Sequence, residues 1–125
     1  MTIAEVSRKY DLSQDTLRYY ERIGLIPPVH RNASGFRDYT EQDCNRVEFI
    51  RCMRSAGLPI ESLIEYMRLY MDGDHTMEAR KAILVEERDK LAGRIAEMQS
   101  TLDRLNRKIE NYESLILERE KHMLG

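Results

Sequence analysis

The chain has 125 residues, 34% charged and 42% apolar, with 3 prolines, 6 glycines and no tryptophan. This composition excludes intrinsic disorder and linker-like sequence, and no apolar run approaches the ~18–20 residues of a membrane span. The net charge of −2 argues weakly against a nucleic-acid partner, but it is unevenly placed: residues 1–58 carry 9 Lys and Arg against 8 acids, and residues 59–125 carry 11 against 14. Glu5 and Arg8 fall inside the first apolar periodicity, so the opening stretch is not a secretory signal. Two cysteines eight residues apart make no disulfide framework, and reduced thiols fit the cytoplasm.

Thr2 followed by Glu5 is a capping box that opens a short helix running to about Lys9. Tyr10-Asp11-Leu12 reads as a tight turn, with Asp11 able to take the left-handed conformation that glycine usually supplies there. Ser13 then caps a second helix from Gln14 to about Ile23, which Gly24 stops. Two short helices across such a turn have the proportions of a helix-turn-helix. In a major groove, the N-terminal side chains of the second helix meet base edges. Gln14, Asp15 and Arg18 suit that role; Thr16, Tyr19 and Arg22 can donate to phosphates. Leu17 and one of the adjacent pair Tyr19 and Tyr20 belong to the core, since neighbours on a helix point ~100° apart.

Pro27-Pro28 ends helical structure, and Asn32-Ala33-Ser34-Gly35 is turn chemistry between two short extended stretches. The expectation is a hairpin carrying His30, Arg31 and Arg37, a wing beside the second helix. Thr40 caps a third helix running to Gly57; Pro59 and Glu61 begin a fourth, closed by Asp72-Gly73-Asp74.

From Met77 to Met123 there is no proline and a single glycine, and the stretch reads as one long helix. Leu84, Leu91, Met98, Leu105 and Tyr112 form one seven-residue series; Ile95, Leu102, Ile109, Ile116 and Met123 form the other. Alternating spacings of four and three define a coiled-coil seam spanning roughly 60 Å, which implies a partner chain, most simply a second copy. The expected fold is therefore all-α with a small β wing. A winged helix-turn-helix DNA-binding domain with its helical pair occupies 1–74, and a coiled-coil dimerisation helix occupies 75–125. The rival is a coiled-coil adaptor whose head binds protein. An enzyme fits worst: the sequence has no nucleophile–base pair, no phosphate-cradling glycine loop and no metal-ligand spacing.

Three stretches, TLRYYERIGLIPP, GFRDYTEQDCNRVEFI and RSAGLPIESL, resemble the MerR family of bacterial transcription regulators. The resemblance covers the whole chain. It implies a homodimer held by an antiparallel coiled coil. It implies double-stranded promoter DNA as the partner, with the operator in the spacer between promoter elements, and RNA polymerase at the same promoter. The activated dimer bends and untwists that spacer. Matched to the family's motifs, Thr16, Arg18, Tyr19, Arg37 and Tyr39 become the expected DNA contacts, with Gln14, Arg22 and Arg31 added from charge and position. No cofactor and no membrane are expected.

Little length remains beyond the coiled coil for a ligand-binding domain, which argues against the multidrug branch. No cysteine follows Cys52, and His75 and His122 are isolated, a poor soft-metal site. Cys44 and Cys52 would stand ~12 Å apart along one helix, too far to bridge. A single-thiol sensor remains: Cys52, with Arg51 and Arg54 close in sequence. The segment RCMRSAGLPIE also resembles the branch responding to aldehydes or nitrosative stress, in which a single cysteine at this place is implicated. The bland reading, that Cys52 is a packed small hydrophobe, stands beside it, and with it a MerR-type regulator that answers a different small-molecule effector; Cys44 is expected to be packing.

Overall fold

The computed structural model describes residues 1–124, apart from the side chains of residues 113 and 115. The chain divides into two compact units, Met1–Leu84 and Val85–Gly125. The first holds α1 (Ile3–Tyr10), α2 (Gln14–Arg22), α3 (Glu41–Ser55), α4 (Ile60–Asp72), a single 3-10 turn (Asp74–Thr76) and the start of α5 (Met77–Glu110).

Helix starts follow the caps written in the sequence. Thr2 Oγ1 accepts from the Glu5 amide at 3.1 Å, and the Glu5 carboxylate accepts from the Thr2 amide at 3.2 Å. Those hydrogen bonds hold the Glu5 carboxyl below the usual carboxylate range. Thr40 and Asp43 repeat the reciprocal pair at the start of α3, at 2.9 and 3.1 Å. Asp11 ends α1 at φ 54°, ψ 49°, the left-handed conformation that the turn requires. Gly24, at φ 80°, lets the Leu25 amide fold back onto the Tyr20 carbonyl at 2.9 Å, which terminates α2.

One core joins these elements. Val6, Leu17, Val47, Ile50 and Leu63 are fully enclosed, one or two from each of α1 to α4. Of the adjacent tyrosines, Tyr20 is buried and Tyr19 is exposed. Cys44 lies in the same core, its thiol 3.8 Å from the Met1 sulfur, so it packs as expected.

The wing differs from the expected β hairpin. Among the described residues there is no strand; one isolated antiparallel bridge, Arg31 to Arg37, closes the loop. Three backbone hydrogen bonds cross the loop, from the Asp38 amide to the His30 carbonyl at 2.7 Å, from the Asn32 amide to the Phe36 carbonyl at 2.8 Å and from the Gly35 amide to the Asn32 carbonyl at 2.9 Å, and side chains reinforce them. Asn32 Oδ1 accepts from the amides of Ser34 and Phe36 at 3.0 and 3.1 Å, and Arg31 Nη1 donates to the Gly35 carbonyl at 3.0 Å. Pro27 and Pro28, which have no amide to donate, keep this pairing from extending into strands.

The long helix is also not continuous. It runs as α5 to Glu110, widens into a π turn at Tyr112–Ile116, and resumes as α6 (Leu117–Leu124). The cause is local: Asn111 Nδ2 donates to the Arg107 carbonyl at 2.9 Å, and Ser114 Oγ donates to the Asn111 carbonyl at 3.2 Å. Such side chains compete with the regular backbone ladder. A wide turn accommodates an extra residue, so the seven-residue register does not pass unbroken from Ile109 to Ile116. Up to that point the seam is as expected, and it is bare. Ile95, Met98, Leu102, Leu105 and Ile109 are between 49 and 70% exposed, and α5 contributes no buried residue. Among the described residues, no helix is long and apolar enough to cross a membrane.

Candidate DNA interface

The exposed side of α2 is set by the residues that face inward. Leu17 and Tyr20 anchor the helix in the core, so Gln14, Arg18 and Tyr19 line its outer side. Arg18 bonds two neighbours on its own helix, Asp15 Oδ1 at 3.0 Å and Gln14 Oε1 at 3.3 Å. The three side chains expected to face base edges thus form one cluster. The Asp15 side chain is 96% exposed, so the ion pair contributes only about 0–1 kcal/mol and gives way readily to a base or phosphate. Thr16 is half-buried, its hydroxyl 2.7 Å from that of Ser13, whose oxygen also caps the helix. The Arg22 guanidinium stands 5.3 Å from the centre of the Tyr19 ring, a contact that orders both exposed side chains.

Arg31 is exposed at the base of the wing. Arg37 is not free there. Its Nε donates to Glu21 Oε1 at 2.9 Å, with only 17% and 16% of the two side chains exposed. This ion pair ties the wing to α2 across 16 residues of sequence. Glu21 was missed by sequence reasoning. Its signal was present: an acid on a helix read as phosphate-facing is out of place unless a cation neutralises it. Glu21→Ala is expected to destabilise the head by about 1–2 kcal/mol, because it strands a mostly buried guanidinium. Operator affinity should fall several-fold with it. Thermal unfolding and gel-shift titration measure the two effects, and an unchanged melting temperature would count against the clamp.

Tyr39, expected on the DNA side, is placed in the core at 3% exposure. Its Oη is enclosed and has no hydrogen-bond partner among the described residues. Burial pushes its phenol above the usual tyrosine range. Its backbone exchanges two hydrogen bonds with Met1, both 2.8 Å, which closes the head behind the wing.

Cys52 lies near the end of α3 with its side chain exposed, so the reading of it as a packed hydrophobe does not hold in the single chain. Arg54 turns toward the helix end and donates to the Leu58 carbonyl at 2.9 Å.

A helix-turn-helix whose second helix presents arginine, amide and hydroxyl groups, with a basic loop clamped beside it, is a DNA-binding head. The family described as MerR HTH family regulatory protein matches residues 1–69, and MerR, DNA binding, matches residues 44–108. The chain is 59% identical over 91 residues to the HTH-type transcriptional regulator AdhR of Bacillus subtilis (strain 168). That alignment covers 73% of this chain and 65% of AdhR, just under two thirds of the relative's length. A crystal structure assigned to the MerR regulators, from Listeria monocytogenes, is 48% identical with a TM-score of 0.71, over 98% of this chain and 93% of that one. HiNmlR, described as a MerR family regulator lacking the sensor domain and bound to promoter DNA, is 28% identical with a TM-score of 0.64, over 90% and 89%. The protein belongs to the MerR family: it is a transcriptional regulator that binds DNA, not an enzyme. The reading as a protein-binding adaptor is set aside.

Proposed function

We propose that the protein works as a homodimer, joined by an antiparallel coiled coil along the bare seam of α5, that distorts a promoter spacer so that RNA polymerase can engage both promoter elements. Gln14 and Arg18 read bases. Thr16, Tyr19, Arg22 and Arg31 hold phosphates, with Arg37 fixed by Glu21 at the wing. Smoothly bending a site of this size costs roughly 1–6 kcal/mol, so a signal of comparable size suffices to switch the dimer.

We further propose that the signal is an electrophile captured at Cys52. The observation carrying this is the contrast between the two thiols: Cys44 is enclosed in the core, whereas Cys52 is open on α3. The thiolate sulfur adds to an aldehyde carbonyl carbon; the C=O π bond breaks, and the oxygen takes a proton from water. The adduct enlarges a side chain on α3, whose other face packs in the core that holds α2. In transcription reconstituted from the neighbouring promoter, formaldehyde or methylglyoxal should induce the wild type and fail to induce Cys52→Ser, with equal operator binding by both. Induction that survives in Cys52→Ser, or that follows added metal salts instead, removes the thiol from the mechanism.

A further inference from the structure

A cleft of about 320 Å³ opens between α3, α4 and the first turns of α5, within the first unit. Its walls are aromatic: the rings of Phe49 and Tyr66 stack at 5.4 Å with 28° between their planes. Arg80 crosses from α5, its guanidinium 5.5 Å from the centre of the Tyr70 ring and 6.0 Å from that of Tyr66. Its Nε donates to Thr76 Oγ1 at 3.1 Å. Thr76 is itself buried, its hydroxyl 2.7 Å from the carbonyls of both Leu69 and Gly73. The arginine is therefore held by one edge. Among the described residues, no hydrogen bond or ion pair engages its two Nη groups, and no carboxylate lines the cleft. The neutral amides of Gln42 and Asn45, with Arg46 drawn aside to Asp43 at 3.4 Å, complete the polar rim.

These features select one ligand chemistry. A guanidinium oriented in advance, with a free pair of amino groups, matches a carboxylate bidentately. Stacked rings and Met67 make an apolar slot beside it. The volume is at the low end for small-molecule sites, enough for one ring and its substituents. We propose that the cleft binds a small single-ring aromatic carboxylate, the carboxylate on Arg80 and the ring against Phe49 and Tyr66. Such a ligand ties α3 and α4 to the start of α5. If its affinity differs between free and DNA-bound protein, operator affinity changes with it by the same factor.

Salicylate, followed by its own fluorescence, is the probe, titrated into the full-length protein at low ionic strength. Saturable binding is expected. Salicylamide, the same ring without the charge, should bind about tenfold or more weakly, and Arg80→Gln should lose about the same factor for salicylate, as removal of a charge-assisted pair requires. Cys52→Ser should bind as the wild type does, which separates this site from the thiol. No saturable salicylate binding overturns the proposal, including the case in which a partner chain fills the cleft. So does equal binding of salicylate and salicylamide by the wild type, a comparison that needs no variant to fold. Undiminished binding by a folded Arg80→Gln protein also overturns it.

Discussion

Leu102→Asp should convert the protein from dimer to monomer at micromolar concentration and lower operator affinity by about a hundredfold or more. Leu102 lies mid-seam on α5, 49% exposed in the single chain and flanked by Met98 and Leu105 on the same stripe. Covering such a leucine stabilises an assembly by about 1.5–3 kcal/mol, and a two-fold dimer covers two. Aspartate removes that gain and adds the cost of dehydrating two carboxylates in an apolar seam, several kcal/mol more. Together these exceed the ~4 kcal/mol that separates micromolar from millimolar association. A monomer keeps one reading head, so it loses half of the DNA contacts. Sedimentation velocity reads the first effect and gel shift the second. Helix content should fall too, since an isolated helix without a partner is marginal in water. A Leu102→Asp protein that sediments as the wild type does would mean that the stripe meets something other than its own copy.

Arg18→Ala should weaken operator binding more than tenfold at fixed salt while leaving the melting temperature nearly unchanged. The two halves of that expectation have separate causes. Stability is spared because Arg18 pairs only with exposed Asp15 and Gln14 on its own helix, and such pairs contribute about 0–1 kcal/mol. Binding suffers because a bidentate arginine contact to guanine is worth about 1–3 kcal/mol of discrimination. The pattern of loss also identifies the contact. A base contact should relax preference at one operator position. A phosphate contact should weaken all sequences alike and reduce the salt slope by about one ion. A loss under tenfold would mean that α2 does not enter the groove as described.

Much of the head was legible because its signals are local. Thr2, Ser13 and Thr40 announce three helix starts within four residues each, and Asp11 and Gly24 mark the turns. The seam was legible because a seven-residue repeat needs no knowledge of tertiary structure. The misses share a different property: they depend on what a residue meets far along the chain, or on a choice between near-equal alternatives. Arg37 reads as a free cation until Glu21, 16 residues away, is placed against it. Tyr39 reads as a surface donor until the core closes over it. Asn111 and Ser114 are ordinary helix-surface residues by pattern, yet their side chains take backbone carbonyls and widen the turn between them. Arg80 carried no signal at all, since its meaning comes from two tyrosines on α4 and a threonine four residues earlier.

The wing has one bridge pair and a few backbone hydrogen bonds, and the side chains of Asn32, Arg31 and Arg37 complete its shape. None of these three is buried in the core that holds the helices together. Substitutions at Asn32 and Arg31 redraw the loop's reach without loosening Leu17, Val47 or Ile50, whereas Arg37 also ties the loop to Glu21. The reach of the loop and the packing of the core are thus written largely on separate residues. A head built this way can change how far its loop extends by drift in two surface positions, with its architecture intact.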